Sequence, residues 1–356
     1  MKRDYSLLGE SGKRAVEIGL ATAEWYHSDV ARKDMKALMK RSDGPAIRDT
    51  VIYYGAIVVC AVIAVMLWPS WWSTPFWLVY GVLYASGADS RWHECGHGTA
   101  FKTRWMNDVV YHIACFCLLR NPVLWKWSHT RHHTDTIIVG RDPEILAMRP
   151  PDLFKVALLI FGWDSVQSFF KMFRYASTGL NNEEKTFVPE SESHKVTAVA
   201  RIWIAIYAAV VLLAITTGSL LPLLLIGGPV FYGSWHYILT GLLQHTGLAD
   251  NVIDHRLNSR TVHMNRFSRF VYWNMNYHIE HHMFPMVPYH ALPKLHAMIR
   301  ADLPEASRNI PEAISEVVSA LRKQLDDPEY RIEKPLPATA RPYRMDLHAE
   351  ALGLAD

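Results

Sequence analysis

The sequence predicts an all-α integral membrane protein: two transmembrane helical hairpins, four spans in all, under a cytoplasmic helical cap that holds a metal site. Three observations predict it. Two long runs lack any charged residue, the turns inside those runs lack Lys and Arg, and histidine is concentrated in three short windows. The averages conceal all three. A chain of 356 residues with 50% hydrophobic and 20% charged residues, mean hydropathy +0.01 and net charge +3 looks soluble. The mild charge gives no reason to expect a nucleic-acid partner. Four cysteines with no CxxC pair (Cys60, Cys95, Cys115, Cys117) fit a reducing compartment, not a disulfide scaffold or a thiolate metal site.

The first charge-free run covers Thr50 to Ala88, 39 residues, and the second Ile202 to Ala249, 48 residues. At about 1.5 Å per residue, each exceeds one crossing of a ~30 Å hydrocarbon core. Pro69 to Pro75 breaks the first run and Thr216 to Ser219 the second, so each is expected to form a hairpin, with spans near 51–68, 75–89, 202–217 and 220–242. Buried helices of soluble proteins keep a charged face, which these lack. Trp68, Trp71, Trp72 and Trp77 crowd the first turn as an aromatic belt would. Lys and Arg are absent from both turns and number ten before Thr50, so both termini and the middle segment are expected in the cytoplasm.

Around this membrane unit, residues 1–49 are expected to be a cytoplasmic N-terminal segment, 50–300 the catalytic domain, and 301–356 a C-terminal helix and mobile tail. No signal peptide is evident at the N-terminus. Ser28 to Arg41 reads as a surface helix stopped by Gly44-Pro45. Residues 152–173 are apolar but hold Lys155 and Asp164, so they are expected to lie in the interface rather than span.

Eight of 18 histidines fall in three five-residue windows: His93-Glu94-Cys95-Gly96-His97, His129-Thr130-Arg131-His132-His133 and His278-Ile279-Glu280-His281-His282. On a helix, positions i, i+3 and i+4 share a face, so each window presents its imidazoles together. So many converging imidazoles must be neutral, and neutral clustered imidazoles are metal ligands. One metal takes four to six ligands, so eight imply two metals. His245, where the last span should emerge, is expected as a ninth ligand. His236 is read as packed, and His112, His255, His263, His290 and His296 as surface or core.

The first window also spells H-E-x-x-H, which can bind zinc with Glu94 as a general base. A membrane metalloprotease is therefore a remote alternative, weakened by six further histidines for which it has no use. A metal transporter would place its ligands along the spans, which hold few. All-imidazole ligation of two metals suits iron and dioxygen chemistry.

The windows H-x3-H, H-x2-H-H and H-x2-H-H, two between the hairpins and one after the second, resemble the histidine boxes of the integral-membrane fatty acid desaturase and hydroxylase superfamily. The resemblance covers roughly residues 50 to 300. It implies a mushroom-shaped helical fold and a non-haem di-iron centre held by His93, His97, His129, His132, His133, His278, His281 and His282, with His245 matching a further family histidine. It also implies O2-dependent attack on an unactivated C–H bond, giving a double bond or a hydroxyl group. A fatty acyl chain is the expected substrate and desaturation the expected outcome, with hydroxylation of a lipid or small apolar molecule as the alternative. Glu94, Asp135, Asp142, Glu144 and Glu280 are near enough in sequence to support ligand imidazoles, Asp142 and Glu280 being preferred. Asn274 and Asn276 are candidates to orient a metal-bound water. The chain has no fused haem-binding domain and no four-cysteine cluster motif, so a separate ferredoxin, rubredoxin or cytochrome is expected to bring electrons. Arg256, Arg260, Arg266 and Arg269 form a candidate docking stretch.

Overall fold

The computed structural model describes residues 3–21 and 24–344. Helices carry the architecture, and among the described residues the extended pairing is limited to two isolated bridges, Thr261–Tyr277 and Val262–Ser307. The first charge-free run opens with α1 (Asp43–Met66) and returns as α2 (Thr74–Val82). A π-turn over Leu83–Gly87 then leads straight into α3 (Ala88–Gly96). Next come α4 (Arg104–Cys117) and α5 (Pro122–Thr134), then α6 (Leu153–Ile160) and α7 (Trp163–Ser177). The second run supplies α8 (Ser193–Thr217), α9 (Leu221–Leu225) and α10 (Pro229–His245). The third histidine window is α11 (His278–Met283), and α12 (Ile310–Asp326) lies near the C-terminus.

Two helical stretches, Arg32–Met66 and Glu190–Thr217, are long and apolar enough to cross a membrane. Most of their side chains face outward: Val51, Met66, Ile202 and Ile215 are all more than half exposed, and Trp71 in the turn is 90% exposed. Contiguous apolar surface of that extent calls for lipid rather than water.

The other two arms differ from the expected spans. The second does not stop at residue 89 but runs on through α3, because the chain there leaves the apolar layer to build the site. The fourth is broken at Ile226–Gly228, where Gly227 has a positive φ of 83°, so the expected span 220–242 is a short α9 and a separate α10. The segment 152–173 is a helix pair bent by 84°, neither one straight span nor one surface helix. Gly44-Pro45 starts α1 instead of stopping the helix before it, as proline tolerates the first turn, where its missing N–H costs nothing.

Arms α2 and α10 cross backbone to backbone. A Cβ on Gly233 would fall 1.9 Å from the carbonyl oxygen of Gly81, so only glycine permits this approach. Arg91 locks α3 to the segment before α11. It is fully buried, donates to the carbonyls of Gly87 and Val271 at 3.1 and 2.7 Å, and lies 3.9 Å from the Tyr53 ring centroid. The expected mobile tail past Asp326 is tied down as far as residue 344. Ile332 N–H donates to Gly247, and Arg256 reaches the carbonyls of Arg341 and Pro342. His348 lies outside the described residues.

Candidate metal centre

Each histidine window sits on a helix whose ends are fixed locally. Asn121 caps α5, its side chain accepting from Val123 and Leu124 N–H, and Pro122 occupies the first turn. From that start His129, His132 and His133 fall on adjacent turns of one face. The window of α3 is aimed by the π-turn, whose extra residue rotates everything after it relative to a regular helix. Before α11 the chain turns through positive φ at Trp273 and Asn274 (48° and 58°), and Asn274 Nδ2 donates to the Tyr289 carbonyl. Asn274 is thus a turn residue, of a type that tolerates the left-handed region.

The nine histidines converge in two groups. One donor nitrogen from each of His93, His97, His129, His133 and His281 lies within 4.8 Å of the other four, and the same holds among His132, His245, His278 and His282. Nearest Nε2 atoms in the first group are 2.8 Å apart for His93–His281, 3.1 Å for His97–His129 and 3.2 Å for His129–His133 and His133–His281. In the second group His245–His278 and His278–His282 are both 3.0 Å apart. The groups adjoin, with the His133 and His282 rings stacked at 4.4 Å. Metal–imidazole bonds of about 2.1 Å at right angles place neighbouring nitrogens about 3.0 Å apart.

The tautomers of four rings follow from what their Nδ1 atoms face. His132 Nδ1 lies 2.8 Å from Asp142, His129 Nδ1 3.1 Å from Glu144, and His245 Nδ1 2.8 Å from the Asn258 carbonyl. These oxygens accept, so each Nδ1 carries the proton and each Nε2 presents a lone pair. Thr136 directs its single hydroxyl proton to the His132 carbonyl at 2.7 Å, which leaves its oxygen to accept from His282 Nδ1 at 3.2 Å. Lone pairs aimed into a shared buried volume fit a cation, and the nine-nitrogen donor set suits two.

Electrostatics point the same way. Burial, reinforced by the neighbouring imidazoles, pushes His93, His129, His133, His278, His281 and His282 well below the ordinary imidazole value. Burial, with His132 nearby, takes His97 down to about 4 and His245 to about 3. These rings stay neutral at physiological pH and open to a metal. Burial also acts to lower His132, but the Asp142 carboxylate on its Nδ1 outweighs it and the net direction is upward. Burial lifts Glu144 to about 7.

Of the two carboxylates preferred from sequence, only Asp142 touches a cluster imidazole. It is held in turn by the backbone N–H groups of Ile137 and Glu144 at 2.8 Å each. Glu280 turns the other way, accepting from Thr261 at 2.6 Å and pairing with His296. Glu144, named from sequence but not preferred, is the carboxylate that meets His129. Asp135 pairs with Arg131 and Arg141. Glu94 Oε1 accepts from Thr99 and from Tyr289 N–H at 2.7 and 3.0 Å, so this carboxylate is engaged in packing rather than in support of an imidazole. Asn276 donates to the Val262 carbonyl rather than toward the cluster. His255, left unassigned from sequence, is buried beside the site, stacked on Trp25 at 4.3 Å and 5.1 Å from His282. The expected docking stretch divides. Arg256 and Arg260 are buried and paired with Asp254 and Glu316, whereas Arg266 is exposed.

The sequence profile of the fatty acid desaturase family matches residues 69–312. The chain is 26% identical over 260 residues to a Delta(12) fatty acid desaturase of Calendula officinalis, an alignment covering 65% of this chain and 65% of that protein. It is 25% identical over 281 residues to a chloroplastic omega-3 fatty acid desaturase of Sesamum indicum, covering 71% and 59% respectively. Over 280 residues it is 24% identical to a temperature-sensitive sn-2 acyl-lipid omega-3 desaturase (ferredoxin) of Arabidopsis thaliana, covering 69% and 60%. The chain thus spans less than two thirds of the length of these relatives.

Proposed function

The chain belongs to the fatty acid desaturase family, and on that premise we propose that it is a membrane-bound, non-haem di-iron oxidoreductase that uses O2 and external electrons to desaturate a fatty acyl chain. The observation that carries this reading is the convergence of nine imidazoles in two adjoining groups. His93, His97, His129, His133 and His281 would hold one iron, and His132, His245, His278 and His282 the other. With dioxygen and electrons, such a pair supplies the oxidising power to break an unactivated C–H bond.

The chain's own contribution is positioning. Asp142, Glu144, the Asn258 carbonyl and Thr136 keep four protons on Nδ1, so that four Nε2 lone pairs are ready without rearrangement. Burial of the cluster keeps bulk water from the reacting volume. Four spans with both termini and the site on the cytoplasmic side complete the proposed topology, supported by the lysine and arginine asymmetry. A separate electron donor is part of the proposal, a ferredoxin being favoured by the name of the Arabidopsis relative.

Turnover of the purified chain under isotopically labelled dioxygen tests the reading. Loss of two hydrogens without label in the product is expected. Label in the product would make the enzyme a hydroxylase, and activity with zinc and no iron would sink the proposal.

A further inference from the structure

A cavity of about 290 Å³ lies against the histidine cluster. His93 and His129 of the first group and His132 and His245 of the second form part of its wall, so its occupant lies beside both groups. The rest of the wall is not simply hydrocarbon. It carries Asp89 and Arg120, paired at 2.6 Å, and Asp164, which accepts from the Tyr237 hydroxyl. Trp92 links this polar wall to the cluster: its Nε1 donates to Asp89 at 3.1 Å and its ring lies 5.1 Å from His129. The Asp89–Arg120 pair is therefore one indole away from a cluster imidazole.

Charged groups in such a place need partners, because burial against a saturated chain removes water and returns nothing. Most have them. Glu144 is engaged by His129 and Ser128, and Asp250 by Arg3 and Arg149. Asp164 is the exception, since its Oδ1 is buried without a hydrogen-bond partner. Asp89 and Asp164 both act on the single Arg120. Lys155 and Lys171 border the cavity too, but both are exposed and screened by solvent.

We propose that this cavity takes the polar end of the substrate, with the Asp164 carboxylate in its wall accepting a hydrogen bond from a hydroxyl or protonated amino group. The inference rests on the reading of the histidine cluster as the oxidising centre, and it narrows the substrate to an amphiphile with a hydrogen-bond donor on its polar end. An unsubstituted hydrocarbon segment in the same place would leave Asp164 Oδ1 unpartnered and strip water from Asp89 and Arg120.

Three probes with the same chain and different heads test it: octylamine, octanol and sodium octanoate. Each is titrated into the full chain in lipid nanodiscs, with tryptophan fluorescence as the readout and partition into empty nanodiscs subtracted. Trp92 and Trp125 line the cavity and report its occupation. Octylamine and octanol are expected to bind at least about tenfold more tightly than octanoate. Asp164→Asn is expected to weaken octylamine about tenfold and leave octanoate unchanged. Gly241→Val serves if Asp164→Asn fails to fold. Gly241 lines the cavity, and a Cβ there would meet Leu146 at 3.4 Å, an ordinary contact, so the side chain fills space without touching a charge. It should weaken all three probes. Octanoate binding tightest, no saturable binding of any probe, or octylamine indifferent to both variants would overturn the proposal. Turnover is scored apart: a chain that desaturates acyl groups without head selectivity keeps its function and loses this substrate class. Selective binding with no oxidation under any donor would cost the function instead.

Discussion

The two histidine groups have the same chemistry and different support. In the four-histidine group, three rings have an Nδ1 partner: His132 on Asp142, His245 on the Asn258 carbonyl and His282 on Thr136. In the five-histidine group, the Nδ1 atoms of His133 and His281 are buried without partners, and His129 on Glu144 is the anchored ring among the described residues. One group is locked by its surroundings, whereas the other compensates with a fifth imidazole. If both groups bind metal as proposed, the number of imidazoles and their orientation by neighbours predict different sensitivities to mutation.

Removing a ligand should have the largest effect. His132→Ala leaves three imidazoles in a locked group, and His281→Ala leaves four in a looser one. Both are expected to abolish turnover and to lose the ion from the altered group, with the loss more complete for His132→Ala, as read by metal analysis of the purified protein. Full iron and full turnover in both would show the ligand assignment to be wrong.

Removing a support comes next. Asp142→Asn takes the charge from behind His132 and is expected to weaken metal binding in the four-histidine group by about 10–100-fold. Glu144→Gln should do less, because the fifth ligand covers for a loosened His129. Competition with a chelator ranks the two variants, and the reverse order would break the contrast between the groups. Thr136→Val is smaller still. It leaves His282 Nδ1 without an acceptor, and a severalfold faster loss of metal is expected, with rescue by Thr136→Ser.

At the bottom of the scale is His112→Ala. This histidine is exposed on α4 and bonded to the carbonyl of Asp108 in its own helix. Metal content and activity should not change, and stability should move by no more than about 0.5 kcal/mol. His348→Ala is expected to be equally silent. A metal-binding defect in either would mean that histidine content, and not position, governs loading.

The clustering of the histidines could be read from the sequence because helical spacing is local: three windows at i, i+3 and i+4 declare a face before any fold is known. Their supports were legible only in part, Asp142 being preferred and Glu144 merely named, because the contacts depend on how the chain returns after α5. Asp142 and Glu144 lie ten and fifteen residues beyond the imidazoles they hold, in a loop whose path nothing in the spacing dictates. Glu280, preferred equally with Asp142, lies between histidines of the third window. That same adjacency puts it on the opposite face of α11, toward His296 and Thr261. Arg256 and Arg260 read as part of a docking stretch, yet both are buried, Arg256 between Asp254 and the remote Asp302 and Arg260 against the remote Glu316. The apolar runs announced helices α1 and α8 plainly. The break at Gly227 and the π-turn at Leu83–Gly87 left no mark in hydropathy, since both interrupt a stretch without changing its composition.

The central claim is that the two groups hold two adjacent iron ions. Iron analysis of the purified chain, combined with Mössbauer spectroscopy of protein loaded with enriched iron, addresses it most directly. The account predicts two iron ions per chain, magnetically coupled, with Asp142→Asn lowering the occupancy of one site before the other. A single iron per chain, or two that are uncoupled and distant, would contradict it.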